Sequence, residues 1–227
     1  MSGITLFSII LTIAAYIGAV HLARKISTPL TTPVLVATIV IIFILSSMKI
    51  DYSQYTPAKE WMTFLLGPAT VALALPLYKT RKILMEKFKS AVLGLSIGTI
   101  TTIITAVGLS KALGLSEKMQ AASAVKAVTS PVAIEAVLLI GGSPATAVAF
   151  VMGAGILGAV FGPIILTVMK ISDPFARGLG IGTVAHGIGT SQIMKEGSLQ
   201  GAASSAAMGI AAIITSLILP WIYPLFN

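Results

Sequence analysis

Long apolar runs separated by short polar clusters dominate this chain. The first run extends from Ile4 to Ala23 and ends at Arg24 and Lys25, and the second extends from Thr32 to Met48. About 20 consecutive apolar residues, rising about 1.5 Å each, cross the hydrocarbon core of a bilayer. The pattern therefore predicts helices that span a membrane. Six further membrane elements are predicted, over residues 61–78, 90–109, 117–140, 145–169, 178–194 and 197–227.

The composition agrees with that pattern. Of the 227 residues, 56% are hydrophobic and only 10% are charged, whereas about a quarter of the residues in a soluble domain are charged. The apolar content excludes a disordered chain, and the absence of cysteine excludes a disulfide scaffold. We therefore expect an all-α polytopic membrane protein that forms a single domain over residues 1–227.

The excess of positive charge indicates how the chain is oriented. The net charge is +8, and five of the fifteen basic residues lie between Lys79 and Lys89. Short loops rich in lysine and arginine stay on the cytoplasmic side of a membrane. The loop is therefore expected in the cytoplasm, facing anionic lipid. No nucleic-acid partner is needed to explain the charge.

The two halves of the chain, about 1–112 and 113–227, have a similar order of elements: a span, a span that starts at a proline, a broken element and a span. Secondary transporters often contain inverted repeats of this kind. Inversion requires an odd number of crossings in each half, so one broken element would have to be re-entrant. The pattern leaves two architectures open: eight full crossings, or seven with a re-entrant element at 117–140.

Three interruptions within the apolar runs are the candidate functional features: Gly67-Pro68, Thr129-Ser130-Pro131 and His186-Gly187-Ile188-Gly189. Non-helical backbone within a bilayer must be buried in protein or line a polar cavity. Where a helix restarts, its free amides and its dipole can hold an anion. The alternative is a packing kink, since glycine and proline are common in membrane helices. Hydroxyl groups beside the breaks belong to Thr70, Thr129, Ser130, Thr190 and Ser191.

Four ionisable residues near the breaks suggest specific roles. Lys126 lies one turn before the second break, and an ionised lysine at the bilayer centre costs at least about 3 kcal/mol, so it either faces a cavity or snorkels from a shallow hairpin. Glu135 is a candidate proton carrier or an interfacial residue. His186 is a candidate substrate donor or proton relay, or a hydrogen-bonded packing residue. Arg177 is expected to cap its helix or to attract an anion.

Catalytic and metal-binding patterns are missing from the sequence. It contains no cysteine, no His-Glu-x-x-His motif and no paired carboxylates, and its glycine-rich runs lack the Lys-Ser/Thr of a phosphate loop. His186 and Ser191 are five residues apart, which does not suit a Ser–His pair on one element. We expect no enzyme activity, no metal and no cofactor.

Several segments resemble the LrgB/CidB family of bacterial membrane proteins. They are Leu66–Tyr78, the motif Lys126-Ala127-Val128-Thr129-Ser130-Pro131, the block from Ala176-Arg177-Gly178 to His186-Gly187-Ile188-Gly189-Thr190, and Gly201–Ser205. The resemblance implies a multi-pass protein of the bacterial plasma membrane, paired with a small holin-like partner of the LrgA/CidA type. It also implies one of two activities: modulation of murein hydrolases and cell lysis, or transport of short carboxylates.

The residues favour transport. We expect a secondary transporter of small monocarboxylates such as pyruvate or glycolate that works by alternating access, forms a homo-oligomer and uses Glu135 or His186 if it is proton-coupled. The alternative is a holin-like pore or regulator of murein hydrolases that acts with the small partner. The helix breaks are assigned to Gly67, Pro68 and Pro131, and substrate binding to Thr70, Lys126, Thr129, Ser130, His186, Gly187, Gly189, Thr190 and Ser191.

Overall fold

A computed structural model describes residues 2–26, 31, 33–65, 68, 71, 78 and 81–226. Within these ranges the secondary structure is helical and contains no strand, which confirms the predicted all-α class. The chain divides into two compact units, Met1–Leu75 and Pro76–Asn227. Each unit is described below by itself.

The first unit contains helices α1 (Gly3–Lys25), α2 (Pro33–Ser47) and α3 (Tyr52–Phe64). Helix α1 packs against both others, and the Thr12 hydroxyl lies 2.9 Å from the Tyr55 hydroxyl of α3. The first two helices match the predicted spans. Helix α3 begins before the run predicted at 61–78, and its first turn is capped because Gln54 Oε1 accepts the Asp51 amide at 3.0 Å.

The second unit is larger and begins with a short helix. Its long helices correspond to the apolar runs of the sequence, each within a few residues of the predicted ends. A single turn of 3₁₀ helix, Tyr223–Phe226, closes the described chain. The helices are α4 (Arg81–Glu86), α5 (Phe88–Ala112), α6 (Glu117–Ala124), α7 (Ser130–Leu139), α8 (Pro144–Val168), α9 (Pro174–Ile193) and α10 (Ser198–Ile222).

Four of the described helices are long and apolar enough to cross a membrane: α1, α5, α8, and α10 together with the 3₁₀ turn. Helices α2 and α7 are apolar but shorter, with 15 and 10 residues. A ten-residue helix is only about 15 Å long, half the thickness of the hydrocarbon core. The number of crossings, seven or eight, therefore stays a prediction. The repeats and the re-entrant element stay predictions as well.

Helix α7 is a separate short rod because non-helical backbone bounds it on both sides. Helix α6 ends at Ala124, earlier than the predicted break at Thr129-Ser130-Pro131, and α7 begins at Ser130. The reason is Pro131: a proline cannot donate to the carbonyl four residues before it and clashes with it, so the interruption lies upstream. At the other end, Gly141 has a φ of +74°, a conformation that glycine adopts without strain.

Helices α9 and α10 form the tightest pair in the unit because small residues line their contact. A Cβ atom at Gly178 would lie 2.7 Å from the Ala203 Cβ, and one at Gly182 would lie 2.8 Å from the Ala207 Cβ. Residues 201–208 of α10 are all buried. Small side chains allow helices in membranes to approach closely. Helix α9 of this pair also packs on α8.

Candidate functional site

Lys126 lies inside the break between α6 and α7, not on the helix one turn before it as predicted. Its neighbours Val125, Ala127 and Val128 are buried, and Lys126 itself is half-buried. The ion pairs formed by the described residues are Lys87–Asp173 and Arg177–Glu196. The Lys126 ammonium has neither an ion-pair nor a hydrogen-bond partner in the described part of the chain.

The start of α7 places further free donors beside this lysine. Thr129 is the N-cap residue, and its side chain makes no capping hydrogen bond. The first backbone bond of the helix runs from the Ala133 amide to the Thr129 carbonyl at 2.9 Å. The amides of Ser130 and Val132 therefore have no backbone acceptor among the described residues, as expected for a helix N-terminus. The hydroxyls of Thr129 and Ser130, both half-buried, are likewise unpaired there.

Glu135 does not neutralise Lys126. Its side chain is exposed on α7, and within the described chain it forms no ion pair. The predicted choice between a proton carrier and an interfacial residue therefore stays open.

The second described break lies at His186, which divides α9 into residues 174–185 and 187–193. His186 has φ 39° and ψ −138°, a region that residues with a side chain rarely adopt and that costs about 1–3 kcal/mol. The sequence predicts an interruption across His186-Gly187-Ile188-Gly189, and the structure places it at the histidine itself. The surrounding contacts must therefore hold this strained residue in place.

Those contacts come mainly from helix α8. The His186 side chain is buried, and its Nε2 atom lies 3.0 Å from the Val151 carbonyl oxygen. A Cβ atom at Gly155 would lie 2.7 Å from His186 Cε1 and 2.9 Å from Nε2, so the ring fits only because residue 155 is glycine. Gly155 lies near the middle of α8, and this break is therefore at mid-height of a candidate membrane span.

The remaining predicted residues on α9 make hydrogen bonds or close contacts within the protein, and their part in substrate binding stays a prediction. The Thr190 hydroxyl donates to the His186 carbonyl at 2.8 Å and accepts from Ser204 of α10, also at 2.8 Å. The Ser191 hydroxyl is exposed and donates to the Ile188 carbonyl at 2.7 Å. A Cβ atom at Gly189 would lie 2.8 Å from an Ile181 methyl group. Gly187 has more room, with Met208 Sδ 3.7 Å from such an atom.

A cleft along α8 lies beside Lys126 and reaches Val184 of α9. Its volume is about 810 Å³, within the range of small-molecule sites. Lys126 is its one ionisable lining residue among those described. The cleft is lined by Lys126, Ala149, Phe150, Gly153, Ala154, Leu157, Gly158, Phe161, Gly162, Ile165 and Val184.

The first predicted break falls mostly outside the described residues. Gly67 and Thr70 are not among them, and Pro68 is described and exposed. These residues belong to the first unit, so their roles stay predictions. Within the described residues no group of three His, Asp or Glu side chains is placed to hold a metal ion.

Arg177 stabilises the end of the helical bundle. Its guanidinium donates to both Glu196 carboxylate oxygens at 2.7 Å, to the Ile171 carbonyl at 2.9 Å and to the Pro163 carbonyl at 3.2 Å. Every one of these acceptors lies at the ends of α8 and α9. Arg177 therefore does not cap its own helix as predicted, because the carbonyls it binds belong to α8 and the loop after it. The predicted attraction of an anion stays a prediction.

Sequence reasoning did not find the partners of these residues. Val151 contributes a backbone carbonyl, which no side-chain pattern reveals. Gly155 is one of many glycines in the chain, and only the position of the His186 ring shows why a side chain is excluded there. Ser204 lies within a motif of the family resemblance, but that motif does not indicate its contact with Thr190.

Comparison with known proteins identifies the family. A model of the LrgB-like family matches residues 12–225. The chain is 34% identical to the uncharacterized protein YxaC of Bacillus subtilis, covering 99% of this chain and 97% of that protein. It is 30% identical to the holin-like protein CidB of Staphylococcus aureus, covering 97% and 96%. No solved structure matches. With its apolar spans, the chain is a multi-pass bacterial membrane protein, and it belongs to the LrgB-like family.

Proposed function

We propose that this protein is a secondary transporter of small monocarboxylates and that the carboxylate binds at Lys126. The observation that carries the proposal is the free, half-buried ammonium of Lys126 in a break of the helical backbone. An uncompensated lysine within a membrane is expensive, at least about 3 kcal/mol. A bound anion supplies the missing partner.

The groups around Lys126 match the chemistry of a carboxylate. A carboxylate accepts hydrogen bonds through two oxygens, and bonds from charged donors are the strongest. The Lys126 ammonium, the hydroxyls of Thr129 and Ser130, and the amides at the start of α7 are all donors. The α7 dipole adds partial positive charge at the same point. Together these donors favour one small anion over a cation or a neutral solute.

The depth of the site supports transport rather than surface binding. The cleft follows α8 from Ala149 to Ile165, which centres it on the middle of that span. Transporter sites lie near the bilayer midplane and are formed by discontinuous helices. In this proposal His186 and Thr190 shape the break in α9, with Gly187, Gly189 and Ser191 around it. His186 and Glu135 stay the candidates for proton coupling.

A second candidate function comes from the relatives. Proteins such as CidB of Staphylococcus aureus are described as holin-like, which suggests a pore, or a regulator of lysis acting with a small membrane partner. That model does not require a free lysine within an apolar cleft. We therefore place it second.

The two functions differ in how they move solutes. Purified protein in liposomes, loaded with unlabelled pyruvate or glycolate, should take up the labelled acid faster than empty liposomes, and uptake should saturate. A pore would pass labelled sucrose and carboxylates alike, without saturation or stimulation from the opposite side. The experiment is repeated with the LrgA/CidA-type partner present, because uptake that appears only then would make the partner obligatory.

A further inference from the structure

The two ends of helix α9 lie side by side. The Arg177 guanidinium near its start donates to both carboxylate oxygens of Glu196, which follows its end, at 2.7 Å. In a continuous helix these two residues would be about 28 Å apart, at about 1.5 Å for each residue. The strained backbone at His186 therefore reverses the chain. Residues 174–185 and 187–193 are the first and second arms of a hairpin, the α9 hairpin, with His186 at its tip.

The contacts with α10 give the direction of each arm. The contact pairs of the first arm are Gly178 with Ala203 and Gly182 with Ala207. Those of the second arm are Gly187 with Met208, Thr190 with Ser204 and Met194 with Gly201. Residue numbers rise together in the first set, so the first arm is parallel to α10. They run in opposite directions in the second set, so the second arm is antiparallel to α10 and returns to the end where the first arm started.

The segment from Glu117 to Gly142 also returns to the end where it starts. A Cβ atom at Gly142 would lie 2.8 Å from the Ala121 Cβ of α6, although a continuous helix would separate these two residues by about 31 Å. The Tyr223 hydroxyl, directly after α10, donates to the Glu117 carbonyl at 3.4 Å. The turning point of this segment is the break that contains Lys126, and we call the segment the Lys126 hairpin.

The two hairpins open toward opposite ends of helix α10. The open end of the α9 hairpin, at Arg177 and Glu196, lies beside the start of α10 at Ser198. The open end of the Lys126 hairpin lies beside Tyr223, which follows the last residue of α10. Because α10 has 25 residues and is part of a candidate membrane span, the two open ends belong to opposite sides of the membrane.

The tips of the two hairpins meet at Val151 of α8. The Val151 carbonyl oxygen lies 3.0 Å from His186 Nε2, and its side chain belongs to the same buried cluster as Val125, which lies in the other tip. Helix α6 is about 12 Å long and the first arm of the α9 hairpin about 18 Å, which together match the hydrocarbon thickness of about 30 Å. Each tip is therefore placed within the membrane and not at its far surface.

We propose that both hairpins are re-entrant and that the second unit contains an inverted repeat of a span followed by a hairpin. The first copy is α5 with the Lys126 hairpin, and the second is α8 with the α9 hairpin. The two spans run in opposite directions, since Lys87 before α5 pairs with Asp173 after α8 at 3.4 Å. These copies differ from the predicted halves, 1–112 and 113–227.

The positive charges assign the two sides. Arg81, Lys82, Lys87 and Lys89 lie before or at the start of α5, and loops rich in such residues stay in the cytoplasm. The α9 hairpin therefore opens to the cytoplasm and the Lys126 hairpin to the outside. Transporter sites lie near the midplane where inverted repeats meet, which is where Lys126 stands. The topology itself does not rest on the proposed transport, and its test uses no substrate.

Single cysteines report directly on this topology, because the chain contains none of its own. Ser172→Cys and Lys195→Cys mark the open end of the α9 hairpin, and Lys118→Cys and Ala145→Cys mark that of the Lys126 hairpin, all at exposed positions. A membrane-impermeant maleimide should label the second pair in intact spheroplasts. It should label the first pair, and Lys89→Cys, only after the membrane is permeabilised.

A cross-link tests the α9 hairpin without a membrane. In detergent, a short bifunctional maleimide should bridge the thiols of Arg177→Cys/Glu196→Cys, which mass spectrometry detects as one reagent per protein. The matched control is Lys89→Cys/Lys111→Cys, at two exposed positions of the continuous helix α5. These thiols are about 33 Å apart along the helix, so each should carry its own reagent.

The outcomes separate this inference from the proposed function. Labelling of Lys195→Cys before permeabilisation, labelling of Lys118→Cys only after it, or two reagents on the Arg177/Glu196 pair would overturn the topology. If that pair does not fold, the single cysteines decide, since they replace exposed side chains. A protein that labels as expected but transports no carboxylate would contradict the proposed function and leave the topology standing.

Discussion

The two described helix breaks differ in how their polar groups are used. At the break between α6 and α7, the ammonium of Lys126 and the hydroxyls of Thr129 and Ser130 have no partner among the described residues. At the break in α9, the His186 ring is bonded to Val151 and the Thr190 hydroxyl carries two hydrogen bonds. Similar sequence signals therefore leave polar groups without protein partners at the first break, which we call the open break. At the second break, which we call the sealed joint, the protein pairs them.

A helix break alone therefore does not identify a ligand site. Unpaired backbone groups in a membrane are costly. At His186 the protein supplies the hydrogen bonds through Thr190 and Ser204, whereas at Lys126 the partners are left to a ligand. The packing of α8 decides between the two: Gly155 admits a ring, while the face at Lys126 borders a cleft. Substitutions at the break beside Lys126 should therefore reduce transport, and substitutions at the break at His186 should reduce stability.

The largest expected effect is on transport, at the open break. Lys126→Ala should reduce carboxylate uptake by about 100-fold or more, because losing one partner of a buried charge pair costs about 2–5 kcal/mol. The melting temperature without substrate should not fall, since the wild-type lysine has no partner to lose. Uptake is measured in proteoliposomes and melting in detergent.

The matched control for that variant is Lys118→Ala, which removes an exposed lysine from the same region of the chain. Its uptake should equal that of the wild type. Full uptake by Lys126→Ala would instead remove Lys126 from the site.

The next effect is on stability, at the sealed joint. Gly155→Val should destabilise the protein by about 1–3 kcal/mol through overpacking, because its side chain would occupy the position of the His186 ring. The measurement is the melting temperature in detergent, and Gly153→Ala, two residues away in open space, should not lower it. An unchanged melting temperature for Gly155→Val would contradict the ring position.

A smaller loss is expected for Thr190→Val. The substitution keeps the shape of the side chain but leaves the buried Ser204 hydroxyl without its acceptor, which costs about 1–3 kcal/mol. Ser191→Ala is the control, since its hydroxyl is exposed and bonds only within its own helix, and it should change stability by less than about 0.5 kcal/mol. Equal melting temperatures for the two variants would argue against the sealed joint.

The smallest effect concerns pH, at the start of α9. The Ala176 amide, which donates to Asp173 at 2.7 Å, lowers the pKa of that exposed carboxyl, and Lys87 lowers it further. The carboxyl therefore contributes stability above its usual pKa range, and this contribution is lost as the pH falls through the lowered value. Melting curves between about pH 6 and pH 3 should fall less steeply for Asp173→Asn than for the wild type.

Much of the fold could be predicted from the sequence, because a lipid environment leaves few solutions for a long apolar run. Helices α1, α2, α5 and α8 begin and end within a few residues of the predicted spans. Helix α6 ends earlier than predicted. The prediction placed the break at Pro131 itself, whereas the carbonyl that the proline leaves without a donor lies four residues before it. The helix α3 was missed because it is polar and contains Pro57.

The site could be predicted only in part. A lysine or a histidine inside an apolar element is conspicuous, so Lys126 and His186 were identified as candidates. Whether such a group is free depends on contacts distant in the chain: the Val151 carbonyl lies 35 residues from His186. The apolar lining of the cleft likewise follows from which face of α8 is left uncovered, and periodicity did not reveal that face.

One consequence of the short α7 helix is mechanical. It is a ten-residue rod with a joint at each end, Val125–Thr129 before it and the glycine turn at Gly141 after it. By contrast, Arg177 connects the start of α9 with the carbonyls of Pro163 and Ile171 at the end of α8 and with Glu196 after the end of α9. In the proposed transporter we expect a change in the tilt of α7 to be taken up at these two joints, and because Lys126 lies within the first of them, its ammonium would move with the helix.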